Sequence, residues 1–258
     1  MLEWTGFEIS AVLFLASAIR STLGFGEALV VVPLLAMLIP VKVAAPLAVL
    51  VSITIALITV LQDWRHVHIR SAALLVLSTV AGIPLGLFLL TWVPEAAVKA
   101  TLASVIIAFS AHSLLGERRP ELGNDAHSWL FGFAAGVLGG AYGMNGPPLA
   151  IYGSLRDWPP KQFRATLQGY FLPASLIGMC GYGLTGLWTS QVNHFYLWSL
   201  PVVVPATLLG RKINDHLNPS RFQFVVHAGL ILVGLTLFCQ AWSGLVVLVE
   251  PSLAQPPR

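Results

Sequence analysis

Gly139-Gly140-Ala141-Tyr142-Gly143-Met144-Asn145-Gly146-Pro147-Pro148 interrupts an apolar stretch that runs from Ser128 to Leu155. Glycine weakens a helix and proline removes a backbone donor, so one continuous helix does not cross this string. A shorter break, Gly24-Phe25-Gly26, divides the apolar region from Phe7 to Ile39 in the same way. The two breaks keep a common spacing: Gly24, Pro40 and Lys42 match Gly143, Pro159 and Lys161 at an offset of 119. Pro84 and Pro94 then match Pro205 and Pro219 at offsets of 121 and 125, a drift that small loop insertions explain. The chain reads as a duplication.

Of its 258 residues 56% are hydrophobic and 10% charged, whereas soluble domains carry about 25% charged residues. Apolar stretches at Val43 to Leu61, Ser71 to Leu90, Ala96 to Leu115, Ala165 to Leu184, Phe195 to Gly210 and Phe222 to Leu248 approach or exceed the ~20 residues that cross a bilayer. The expected class is an all-α integral membrane protein. The net charge of +3 arises from Lys and Arg in short connections, a topogenic pattern that gives no reason to invoke nucleic acid. Ala16-Ser17-Ala18 resembles a cleavage site, but the first positive charge is Arg20, so the N-terminal stretch reads as mature structure. Cys180 and Cys239 lie in apolar spans without CxxC spacing and read as packing residues.

Two geometries compete at the breaks: one interrupted crossing, or a hairpin of two short helices that returns to its own side. Single crossings divide the loop Lys and Arg 8 against 5, whereas hairpins divide them 10 against 3, placing Arg65, Arg70, Arg118, Arg119 and Arg156 together. The positive-inside rule favours hairpins. The expected architecture is therefore two inverted repeats, each a Gly/Pro-broken hairpin followed by three transmembrane helices, about 8–10 membrane segments in all. The first repeat spans 1–117, a cytoplasmic linker 118–127, the second repeat 128–250 and a tail 251–258, with both termini on the non-cytoplasmic side.

Backbone that leaves the helical ladder at membrane depth must be satisfied by protein, water or ligand, so each break implies a polar cavity. Helix N-termini favour anions, and Gly24 to Ala28 and Gly143 to Pro147 could supply two of them. Candidate substrate-binding residues are Arg20, Ser21, Thr22, Gly24 and Gly26 in the first half, and Gly143, Asn145, Gly146 and Gln168 in the second, with Tyr142 nearby. The competing reading for the glycines is close helix packing. Arg20 and Glu27 are the deepest ionisable groups. They could form a structural ion pair, or Arg20 could attract substrate while Glu27 couples protons. Arg164 and Gln168 share a helical face, where Arg164 could line a mouth or act as a topogenic charge.

His66 and His68 are poorly spaced for a metal and read as loop residues, and His227 reads as packing or an interhelical hydrogen bond. No GxSxG, HExxH, Walker A or GxGxxG string occurs, so no enzymatic or ATP-driven activity is indicated and no cofactor or metal is expected.

The motifs Gly24-Phe25-Gly26-Glu27-Ala28-Leu29-Val30-Val31-Val32-Pro33-Leu34-Leu35, Gly143-Met144-Asn145-Gly146-Pro147-Pro148-Leu149 and Phe163-Arg164-Ala165-Thr166-Leu167-Gln168-Gly169-Tyr170-Phe171 resemble those of the TauE/SafE sulfite exporter-like permeases, along nearly the whole chain. The resemblance implies an inner-membrane permease of duplicated architecture that moves sulfite, sulfoacetate or related sulfur anions outward. Glu27 stands where the family has a small residue, and Asn145 interrupts the second glycine run. The expected partners are a small anion, the lipid bilayer and protons as a candidate coupling ion. The alternative is a passive anion channel.

Overall fold

A computed structural model describes residues 2–23, 26–63, 67–115, 122–156, 158, 160–214, 224 and 227–242. These residues form helices and short connections, with no strand among them. The helices are α1 (Leu2–Leu23), α2 (Glu27–Leu38), α3 (Val41–Asp63), α4 (Ile69–Trp92), α5 (Glu95–Leu115), α6 (Ser128–Tyr142), α7 (Gly146–Leu155), α8 (Pro160–Leu184) and α9 (Ser190–Asn214), followed by α10 (His227–Trp242). By length and apolarity, Val41–Leu61 of α3, all of α4 and all of α5 qualify as membrane spans among the described residues. Large apolar side chains such as Leu77, Leu208 and Leu232 are exposed on the outside of the bundle, where lipid would cover them. Trp92 ends α4, Trp129 begins α6 and Trp188 precedes α9, all exposed, as interfacial tryptophans are.

Both breaks lie where the glycines predicted. At a rise of 1.5 Å per residue, α2, α6 and α7 are roughly 18, 22 and 15 Å long, too short for the ~30 Å hydrocarbon core. The first break is less symmetrical than expected, because α1 extends over 22 residues, long enough to span by itself. The second break is a hairpin whose ends meet. The Leu122 N–H, just before α6, donates to Leu155 O at the end of α7 over 2.7 Å. Arg156 donates to Leu122 O over 2.8 Å, and Ser71 at the start of α4 donates to Asp125 over 2.7 Å. The ends of α6 and α7 and the start of α4 therefore share one face.

Helix packing follows a swap between the halves. The largest contact joins α4 to α6, and its counterpart under exchange of the halves joins α9 to α1. Likewise α4 packs on α8 and α9 on α3, while α3 and α8, the equivalent helices, pack on each other. The α4–α6 contact is built from glycine. A Cβ on Gly82 would meet Phe133 O, one on Gly136 would meet Thr79 O, and one on Gly140 would meet Ile83 O. The four-residue spacing of Gly82–Gly86 against Gly132–Gly136–Gly140 lets the two backbones touch, so packing is the reading that holds for these glycines. Cys180 and Cys239, read as packing residues in apolar spans, are both exposed.

Candidate functional site

Arg20 sits in the last turn of α1, fully buried. An unpaired guanidinium at that depth would be costly, and four residues from three other helices surround it. Nη1 donates to the Glu27 carboxylate and, over 2.9 Å, to Ser52 Oγ. Nη2 donates to Gln168 Oε1, and the guanidinium lies 5.0 Å from the Phe171 ring centroid, a cation–π distance. One donor, Arg20 Nε, and one acceptor, Glu27 Oε1, have no hydrogen bond among the described residues. Ser52 belongs to α3, and Gln168 and Phe171 to α8. Gln168 and Phe171 are three residues apart and so share a helical face.

The local chain explains the pairing. Gly26, with φ of 97°, caps α2 in the left-handed conformation that favours glycine. This turn brings Glu27 back toward Arg20, seven residues earlier. Glu27 is also the first residue of α2, so its carboxylate lies at the positive end of the helix dipole. Its hydrogen bond goes to Arg20, and no side chain caps the start of α2.

At the second break Gly143, with φ of 65°, closes α6. Its N–H donates to Gly139 O and that of Met144 to Leu138 O, a glycine-dependent helix ending. A Cβ on Gly143 would lie 2.7 Å from Ala45 O, and one on Gly139 would lie 2.7 Å from Asn145 Nδ2. Asn145, buried, donates to Tyr170 Oη over 3.4 Å. Tyr170 is 2.6 Å from Thr79 Oγ1, and Thr79 donates to Gly132 O over 2.8 Å. Because Thr79 spends its proton on the carbonyl, Tyr170 must donate to Thr79 and accept from Asn145. The result is a one-way relay across α7, α8, α4 and α6 with no net charge. Tyr182 Oη adds a bond to Gly139 O over 2.8 Å. The charged and neutral clusters meet on α8, where the Tyr170 and Phe171 rings stand 5.8 Å apart.

The sequence profile of the family described as sulfite exporter TauE/SafE matches residues 9–237. The chain belongs to the TauE/SafE family. It is also 24% identical over 245 residues to a relative in Cupriavidus necator named as a probable sulfite/organosulfonate exporter TauE, covering 93% of this chain and 96% of that protein. No solved structure matches.

In this TauE/SafE chain, Arg20, Glu27 and Gln168 come together as one cluster, and Asn145 forms the second. Gly26 and Gly143 shape the two turns. Gly146 begins α7, but Pro147 and Pro148 follow it and carry no N–H, so this helix start offers fewer donors to an anion than the sequence spacing suggested. Ser21 and Thr22 lie within α1 with side chains outside the described set, and Gly24, His66 and the Arg164 side chain also fall outside it. Tyr142 bonds Thr101 and Val98 O in α5 instead of facing the break. His68 caps α4 by accepting the Ser71 N–H over 3.3 Å, and His227 packs edge-on to Phe109.

Ser52, Phe171, Thr79 and Tyr170 were missed. One signal was present: Ser52 and Phe171 are equivalent at the offset of 119, and both touch Arg20. An outward-facing groove of about 440 Å³ between α4 and α8 is lined by apolar residues such as Val76, Leu77 and Pro173. It lacks donors for an anion.

Proposed function

We propose that the chain is a multi-pass inner-membrane permease that exports a small sulfur-containing anion, sulfite or an organosulfonate, through a site centred on Arg20. The buried Arg20 cluster carries this reading. A planar guanidinium with fixed donors suits an oxyanion better than a point charge does, and Ser52 and Gln168 add neutral groups around it. The name of the Cupriavidus relative supports the substrate class. Asn145, backed by its relay to Tyr170 and Thr79, supplies a donor at the opposing break.

Glu27 is the candidate coupling group. Its carboxylate holds the position on Arg20 that a substrate anion needs, so binding requires that Glu27 be displaced, and a displaced carboxylate at this depth takes up a proton. Anion and proton would then move in linked steps. The swapped packing of α4 on α6 and α9 on α1 supports two inverted repeats, 1–117 and 128–250, joined by a linker at 118–127 on the cytoplasmic face and ending in the tail 251–258. Movement of one half against the other would expose the site alternately.

Purified protein in liposomes loaded with sulfite tests the reading. Efflux driven by an imposed pH gradient is expected, with concentration against the anion's own gradient, which a passive channel cannot achieve. Glu27→Gln should retain exchange of anion for anion and lose the pH dependence. No saturable movement of sulfite, sulfoacetate or taurine under any gradient would sink the anion reading, and unchanged coupling in Glu27→Gln would remove its proton role.

A further inference from the structure

A second polar cluster lies away from the site. Asp125, between the halves, accepts from Tyr152 Oη over 2.6 Å and from Ser71 Oγ over 2.7 Å on the same oxygen. Arg156 Nη2 stands 3.5 Å from it, with both residues 13% exposed. Arg156 also donates to Leu122 O. Ser71 Oγ lies 2.8 Å from His68 Nδ1, and the His68 backbone N–H donates to Thr166 Oγ1 over 3.0 Å. Trp158 covers the cluster, its ring 6.1 Å from His68 and 5.6 Å from Tyr152. The start of α4 in the first half is thereby fastened, through the linker, to the end of α7 and the start of α8 in the second.

Two features separate this cluster from scaffold. The first is its place: Asn145 caps the start of α7, whose far end carries Tyr152, and the fastened Thr166 stands on α8 two residues before Gln168 and five before Phe171, so both fastened helices carry site residues. The second is asymmetry. At the offset of 119, Asp125, Tyr152 and Arg156 correspond to Gly6, Pro33 and Met37, and His68 to Leu187. No member of that counterpart set is ionisable, so these positions of the first half cannot build an equivalent ionic cluster. A cluster present in one half alone is not required by the shared fold, which leaves it available for a step that one face makes. Polar groups at a partly exposed edge can also exchange their bonds for water when the edge opens, which apolar packing cannot do as cheaply.

We propose that Asp125, Tyr152, Ser71 and Arg156 form an interlock that closes the linker face of the permease, and that its release admits substrate to the Arg20 site from that face. The proposal rests on the transport reading, and its test does not depend on which anion is carried. Gln168→Cys, in the full chain with Cys180 and Cys239 replaced by Ala, is labelled with a membrane-impermeant maleimide in vesicles of either orientation. Tyr152→Phe, which keeps the ring packing, should raise labelling from the linker face about tenfold, the shift matching loss of one hydrogen bond to a charged group. Asp125→Asn should raise it at least as much. Labelling from the other face should not rise. Unchanged labelling in Tyr152→Phe, or equal gains from both faces, would overturn the interlock. Selective opening combined with no sulfite movement by protein that keeps Gln168 would instead leave the interlock standing and remove only the anion reading.

Discussion

At the first break, between α1 and α2, the chain buries a charged pair, Arg20 with Glu27. At the second, between α6 and α7, it buries Asn145 on a neutral relay through Tyr170 to Thr79. At the offset of 119, Arg20 and Glu27 fall on Gly139 and Gly146, so the charged copy has side chains where the neutral copy has none. Two guanidiniums converging from opposite hairpins would repel across a medium that screens poorly. On the proposed function, one charged copy and one neutral copy would instead give a single centre for one anion, with Asn145 supplying a donor and no charge. A duplicated sequence therefore need not imply a duplicated site.

Removing Arg20 should expose this difference most strongly. Arg20→Ala leaves the Glu27 carboxylate buried without a partner, a change that costs about 3–5 kcal/mol when one member of a buried pair is lost. A large drop in melting temperature in detergent and complete loss of sulfite transport are expected. Arg20→Leu combined with Glu27→Leu should recover most of the stability and none of the transport. Full stability in Arg20→Ala would mean that the pair does not form.

The neutral break depends more on its seat against α4. Gly136→Val would drive a side chain into Thr79 O, an overpacking that costs about 1–3 kcal/mol. The same change at Gly229, where a Cβ meets nothing within 4 Å, should be close to neutral in the same thermal melt.

Asn145→Ala removes the first donor of the relay and Tyr170→Phe its middle link, at a loss of about 1 kcal/mol for each neutral hydrogen bond. Stability should change little. Apparent affinity for sulfite should weaken several-fold in Asn145→Ala and less in Tyr170→Phe. Equal loss of affinity in both would place the relay itself, and not the Asn145 donor, at the site.

The smallest effect is one of pH. Burial pushes the Asp125 carboxyl upward, but hydrogen bonds from Tyr152 and Ser71, with Arg156 and His68 nearby, outweigh it and hold the group below its ordinary 3.8. A group lowered in the folded state contributes stability that is complete above its unfolded value and lost as pH falls through the folded one. The melting-temperature gap between wild type and Asp125→Asn should therefore be constant above about pH 5 and shrink below about pH 4. A gap that widens in acid would reverse the assigned direction.

Much of this molecule can be read without its fold. Composition alone dictates membrane helices, because 10% charged residues cannot clothe a soluble surface. Gly24-Phe25-Gly26 and the run from Gly139 to Pro148 mark the breaks, because glycine and proline act on their own backbone whatever surrounds them. The depth of Arg20 and Glu27 likewise forces them to find partners. By contrast, Ser52, Thr79 and Tyr170 are isolated polar residues in apolar spans, and which of them meets Arg20 or Asn145 depends on helix rotation and crossing. Asp125, Tyr152 and His68 are scattered over three segments and become a cluster only when the ends of α4, α7 and α8 reach one face. Sequence determines what each backbone segment can do in a bilayer, because those costs are local. Only the tertiary structure decides which buried groups satisfy one another, because that is a matter of distances between helices far apart in the chain.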